Sequence, residues 1–240
     1  MGGNYLLEAR NLTMRFGGVV AVRDVSLSLR EGELHCLIGP NGAGKSTFFR
    51  MLSGQHRPSS GEVLFNGRSI IGQGSARIAR AGMGIKTQVP SVFNSMTVRE
   101  NVMLAASREL SSVLAKKRCD EVMERIGIGH LAAAKVGILA HGQRQLVELA
   151  TVIAPSPSLI LLDEPAAGMT GDEVDRLGDL LIELARSCSV IVVEHDMAFI
   201  RRIARSITVF NQGSVLIEGP ADQVLSDQRV RDVYLGKEVA

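Results

Sequence analysis

The sequence predicts an α/β fold: a P-loop-bearing core with a mainly parallel sheet, an antiparallel β group near the N-terminus, and an inserted α-helical block. Three observations predict it. First, Leu34–Ile38, Leu159–Leu162 and Val190–Val193 are short, uniformly apolar runs bounded by turns or charges. Strands buried on both faces of a parallel sheet have this character. Second, helix-like stretches separate these runs, which is the alternation of an α/β chain. Third, the span from Thr97 to about Ile153 contains no buried-strand run.

The elements follow in order. Tyr5–Phe16, Val20–Leu29 and Gly61–Phe65 alternate loosely between apolar and polar residues, with turn residues between them, as antiparallel strands do. Leu34–Ile38 is the first buried strand. Thr97-Val98-Arg99-Glu100 fits a capping box. The helical pattern continues through "NVMLAASRELSSVLAKKRCDEVMERIGI", with Gly127 and Gly129 as stops. A further helix starts near Gly142. Leu159–Leu162, Val190–Val193 and the weaker Ile207–Phe210 complete the buried strands. A chain of 240 residues suffices for one large domain. Residues 1–96 and 155–240 read as its core, and 97–154 as a helical subdomain inserted into it.

Composition narrows the function. With 45% hydrophobic and 22% charged residues, the chain reads as a soluble globular protein. A net charge of +2 is too small to make nucleic acid or an anionic membrane the main partner. Lys116-Lys117-Arg118 and Arg201-Arg202 read as solvated helix faces. Cys36, Cys119 and Cys188 are odd in number and widely spaced, which argues against a disulfide framework or zinc site and for a reducing compartment. "MGGNYLLEAR" lacks the apolar segment of a signal peptide, and no run approaches the roughly 20 apolar residues of a membrane helix.

Two motifs carry chemistry. "GPNGAGKST", Gly39-Pro40-Asn41-Gly42-Ala43-Gly44-Lys45-Ser46-Thr47, lies between a buried strand and a helix-like run. That is the context a phosphate-binding loop requires. Its glycines let the backbone wrap phosphates, and its N–H groups and the helix N-terminus supply positive potential. Lys45 can reach the β- and γ-phosphates of ATP, and Ser46 can ligate Mg²⁺. "LILLDEP" places Asp163 and Glu164 at the end of a buried strand. Asp163 suits a Mg²⁺ held through water. Glu164 suits the orientation or deprotonation of a water.

"LAHGQRQ" at 139–145, between these two motifs, resembles the signature of ATP-binding-cassette ATPases. The resemblance spans essentially the whole chain. It implies that Ala140, His141, Gly142 and Gln143 act on ATP held by the P-loop of a second ATPase subunit. It also implies that Phe16 stacks on adenine, that Gln88 senses Mg²⁺ and the attacking water, and that His195 contacts the γ-phosphate. Two residues depart from the family pattern. Ala140 stands where the signature usually carries serine, and Thr170 stands where many relatives have aspartate.

"EPAAGMT", "VEHDMAFI" and "RVRDVYLG" resemble ATPases that serve importers of branched-chain amino acids, short amides and urea, and are most similar to the urea type. The resemblance implies a paired ATPase subunit, identical or different. It implies two membrane permeases beneath which the pair sits at the cytoplasmic face of the inner membrane, and a periplasmic protein that delivers the solute. Val89, Val92, Phe93 and Met96 would form a groove for a permease helix. Two alternatives stand beside this reading: a nucleotide-gated module with little hydrolysis, which Ala140 favours and Glu164 opposes, and an ATPase for another solute.

Overall fold

The computed structural model describes residues 5–89, 91–108 and 110–235. Along the chain run β1 (Leu7–Phe16), β2 (Val19–Leu29), β3 (Leu34–Ile38), α1 (Lys45–Leu52), β4 (Ser60–Phe65), β5 (Arg68–Ser69), α2 (Ser75–Arg80) and β6 (Met83–Lys86). Then come α3 (Val98–Ala106), α4 (Ser112–Ile126), α5 (His141–Ile153), β7 (Leu159–Asp163), α6 (Gly171–Leu184) and β8 (Ser189–Val193). The last elements are α7 (Met197–Ile203), β9 (Ser206–Asn211), β10 (Ser214–Pro220), α8 (Ala221–Ser226) and α9 (Gln228–Leu235).

Two sheets form. One is antiparallel, in the order β2-β1-β4-β5. The other has the order β10-β9-β3-β8-β7-β6 and is parallel except for the edge pair β10–β9. The uniformly apolar runs are its central strands. Period-two alternation divides each of them between two apolar cores. Leu34, Cys36, Ile38, Ile160, Leu162, Val190 and Val192 face the core built with α3 to α7. Leu37, Leu159, Leu161, Ile191 and Val193 face the core built with α1 and the antiparallel sheet. The three cysteines are free and buried.

The helical span differs in detail from its sequence reading. Thr97 does cap α3 with a full capping box to Glu100. Gly127 does end α4, in a left-handed conformation with φ 78°. The chain between them is two helices, not one, broken after Ala106. Gly129 lies inside a single 3₁₀ turn, Gly129–Leu131. Within the basic cluster, Lys116 and Lys117 are exposed, but Arg118 is half-buried and donates to the Ile153 and Ala154 carbonyls at the end of α5, at 3.2 and 3.3 Å. It satisfies carbonyls that a helix end leaves free.

Two strands of the parallel sheet escaped the sequence reading. β10 is only half-buried, as an edge strand is. β6, "MGIK", hides its strand character behind a glycine and a lysine.

Candidate functional site

The C-terminal ends of β3, β8 and β7 are neighbours in the sheet, in that order. Open parallel sheets bind ligands at this edge. The phosphate loop leaves β3 there and enters α1. Gly39 has φ 145°, and a Cβ on it would lie 2.3 Å from the Phe210 carbonyl oxygen. Gly44 has φ 104°, and a Cβ on it would lie 2.6 Å from the Ala21 carbonyl oxygen. Only glycine fits either place. Gly44 is also the N-cap of α1 and offers no side-chain cap, so the first N–H groups of that helix point into the loop without a local acceptor.

Lys45 folds back over the loop. Its Nζ donates to the carbonyls of Gly39 at 2.7 Å and Pro40 at 3.0 Å. Burial lowers its pKa, and the nearby Glu164 and Asp163 carboxylates oppose that shift. Lys45 is therefore close enough to feel both carboxylates. Pro40, Ser46 and Thr47 are half-buried, Ala43 is buried, and Asn41 and Gly42 form the exposed crown of the loop.

Asp163 ends β7 and is buried, and its Oδ1 has no hydrogen-bond partner. Its pKa is pushed up to about 6, chiefly by burial and then by Glu164, while Arg50, Lys86 and Lys45 pull it down. A buried oxygen left without a partner is costly, and a hard cation would satisfy it. Carboxylate and hydroxyl oxygens are the ligands Mg²⁺ prefers, so Asp163 and Ser46 fit such an ion. Among the described residues no three His, Cys, Asp or Glu side chains are placed to hold a metal by themselves.

Glu164 follows in a left-handed conformation, φ 48°, which is uncommon for a non-glycine residue. Its N–H still donates to the Val193 carbonyl at 2.9 Å, so the chain turns without leaving the sheet. The turn brings Glu164 Oε1 to 3.6 Å from His195 Nδ1. Sequence reasoning missed Glu194, which joins the two segments. Its buried carboxylate accepts from Ala166 N–H at 3.1 Å and from His195 N–H at 2.9 Å. The signal was a carboxylate at the end of an all-apolar strand, and it was masked by the histidine beside it.

Gln88 is exposed, two residues past the end of β6. Phe16 closes β1, is 46% exposed, and meets His56 edge-on with ring centres 5.8 Å apart. The loop beyond Gln88 is only partly what its pattern predicts. Val89 and Phe93 are exposed, whereas Val92 and Met96 are half-buried and Val92 packs on the core. Asn101 holds Phe93 by both backbone groups, at 2.8 and 3.1 Å. Phe93 lines a cavity of about 510 Å³ together with Leu104, Ala105, Arg108 and Val152. Leu104, a second exposed apolar residue there, was not expected.

The segment 140–143 opens α5 and meets the turn that follows Glu164. Ala140 is the N-cap of α5, which starts at His141, one residue earlier than its pattern suggests. Half a capping box survives: Ala140 N–H donates to Gln143 Oε1 at 3.2 Å, and no side chain returns the bond. His141 Nε2 lies 3.0 Å from the Ala167 carbonyl of its own chain. Gly142 is buried, and a Cβ there would sit 2.3 Å from the Glu173 carboxylate. Glu173 accepts from the N–H and hydroxyl of Thr170, the N-cap of α6, at 2.9 and 3.1 Å. No hydrogen bond or ion pair among the described residues joins 140–143 to the phosphate loop.

A loop that binds phosphate, set beside two carboxylates and a histidine, defines the class: a P-loop protein that binds and hydrolyses nucleotide. The family is narrower. The ABC transporter family profile matches residues 22–167. The chain belongs to that family, as its ATP-binding cassette. It is 36% identical to the high-affinity branched-chain amino acid transport ATP-binding protein LivG of Salmonella typhimurium, over 97% of this chain and 98% of that one. It is 36% identical to the lipopolysaccharide export system ATP-binding protein LptB of Acidithiobacillus ferridurans, over 96% and 97%. Among solved structures it is similar to an ATP-binding cassette of an ABC transporter in its ADP conformation, with TM-score 0.86, 26% identity, and 97% and 99% coverage. It is also similar to a dimeric cassette in a post-hydrolysis state bound to ADP and Pi, with TM-score 0.80, 26% identity, and 89% and 98% coverage.

Proposed function

We propose that this chain is the Mg-ATP-hydrolysing subunit of a solute importer, working as one half of a nucleotide-sandwiched pair. The observation that carries the reading is the convergence of Lys45, Asp163, Glu164 and His195 on one edge of the sheet. The phosphate loop, Gly39 to Thr47, cradles the phosphates. Lys45 exchanges its two loop carbonyls for phosphate oxygens. Phe16 offers a flat, half-exposed face to the adenine. Ser46, Asp163 and Gln88 would hold Mg²⁺, which would neutralise charge on the transferred phosphoryl group when bound. Glu164 orients the attacking water and accepts its proton, and His195 steadies Glu164 and the γ-phosphate from the neighbouring strand. Glu164→Gln is expected to lower phosphate release at least about a hundredfold while ATP affinity stays within about threefold of wild type. Undiminished release would remove Glu164 from this role.

Ala140, His141, Gly142 and Gln143 act on the partner's nucleotide. The lack of any hydrogen bond or ion pair between them and the chain's own phosphate loop among the described residues supports this, as does the dimeric post-hydrolysis cassette. The helices of 97–154 form a subdomain that presents this segment. Two permeases sit above the pair, and each docks a cytoplasmic helix in the groove beside Phe93, a common mode for an amphipathic helix. The chain then sits at the cytoplasmic face of the membrane by attachment alone: no helix among the described residues is long and apolar enough to cross it.

The solute belongs to the class of branched-chain amino acids, short amides or urea, with a periplasmic binding protein delivering it. The names of LivG of Salmonella typhimurium and of BraF of Pseudomonas aeruginosa, 34% identical, bring branched-chain amino acids forward. An ATPase for another solute is the second reading, because LptB is as similar as LivG. The ATPase does not touch the solute, so transport assays with the adjacent permease genes decide between them.

A further inference from the structure

Strand β6 is the edge of the parallel sheet beside β7, and α5 packs across it. Two contacts define that packing. A Cβ on Gly84 would lie 2.8 Å from Val152 Cγ1 and 3.2 Å from the Val152 carbonyl oxygen, so only glycine lets the helix come this near. Two residues along the strand, Lys86 Nζ lies 3.3 Å from Glu148 Oε2. Residues two apart on a strand share a face, and residues four apart on a helix do as well. Gly84–Val152 and Lys86–Glu148 are therefore in register, and together they fix both the spacing and the sliding position of α5 on β6. The two charged side chains are only 4% and 3% exposed.

A buried ion pair is a weak source of stability. Well-packed apolar residues of similar volume often do as well or better, whereas fixing register is a use for which such groups are known. What depends on this register is visible at both ends. β6 leads to Gln88 two residues beyond Lys86, and Lys86 is also near enough to Asp163 to act on its charge. α5 begins at His141, roughly 10 Å of helix from Glu148 at 1.5 Å per residue.

We propose that Lys86 and Glu148 are positioning residues: their buried pair holds the signature helix in register on the strand that carries Gln88, and so sets where Ala140 to Gln143 meet the nucleotide of the partner subunit. The inference rests on the paired reading above. Both side chains are buried against each other. A misplacement of about 1 Å can cost about a hundredfold in rate, so the effect falls on turnover and not on binding at the chain's own loop.

The test is the double variant Lys86→Met/Glu148→Leu of the purified full chain, beside wild type, Glu164→Gln and the conservative Lys86→Arg. The double variant is expected to fold with a thermal midpoint at or above that of wild type. Its ATP affinity stays within about twofold. Its kcat at saturating Mg-ATP falls at least about tenfold with KM unchanged, and Lys86→Arg stays within about threefold of wild type. A double variant that hydrolyses ATP like wild type, while Glu164→Gln does not, overturns this inference alone. Undiminished hydrolysis in both overturns the hydrolytic reading and this inference with it. Failure of the double variant to fold also overturns it, because the pair would then hold the fold and not the register. Equal losses in affinity and turnover count against it for the same reason.

Discussion

Ala140 shows how much one missing hydroxyl can matter. A serine at this N-cap would complete the capping box that Gln143 already half makes, and that alone adds about 0.5–2 kcal/mol of local stability. It would also offer a hydrogen bond to the partner's γ-phosphate, and a bond to a charged group contributes about 1.5–3 kcal/mol. Expressed fully in the transition state, the second effect is roughly 10- to 150-fold in rate. Ala140→Ser is therefore expected to raise turnover at saturating Mg-ATP with little change in ATP affinity. Equal or lower turnover in steady-state assays would show that backbone N–H groups near Gly142 already do the work. His141 is less free to help than its position suggests, because its ring is held by the Ala167 carbonyl of its own chain.

At the scale of elements, β3 delivers the phosphate loop and is stapled to its neighbours by a buried histidine. His35 Nδ1 and Nε2 lie 2.7 Å from the hydroxyls of Ser206 and Thr208 on β9, and Thr208 donates to Glu218 on β10 at 2.8 Å. With its proton given to Glu218, the Thr208 hydroxyl accepts from His35 Nε2–H, and Nδ1 accepts from Ser206. That assignment holds for the neutral ring, which burial favours by lowering its pKa from 6.5 to about 4. The unfolded chain takes up this proton first as pH falls. Stability is therefore retained above pH 6.5 and lost as pH falls from there toward 4, by at most about 1.4 kcal/mol per pH unit. Denaturant midpoints for wild type and His35→Asn should converge over this window, and parallel curves would contradict the account. Phe93→Asp tests the groove: it should fold and bind ATP normally yet fail to co-purify with the permeases. Normal assembly would contradict docking there. Much of this was legible in the sequence. Uniform apolar runs identified the central strands, and "GPNGAGKST" and "LLDEP" marked the C-terminal ends of two of them, because each is a contiguous pattern. What was not legible depends on distant partners. Lys86 reads as a strand breaker until Glu148 is set beside it, and Glu194 reads as a solvated end until Ala166 N–H reaches it. The break between α3 and α4 was hidden because both helices carry the same apolar period.

At the scale of the molecule, the proposed pairing makes a single chain half of a machine. No hydrogen bond or ion pair among the described residues joins its phosphate loop to its signature segment, and in the proposed pair a second cassette supplies each with its counterpart. Glu164→Gln should stop hydrolysis while leaving the nucleotide bound, and the sandwiched pair should then persist. Light scattering of Glu164→Gln with and without Mg-ATP, alone and with a partner cassette ATPase, is the deciding measurement. A mass corresponding to two cassettes is expected when ATP is present. A mass of one cassette at saturating ATP under both conditions would contradict it.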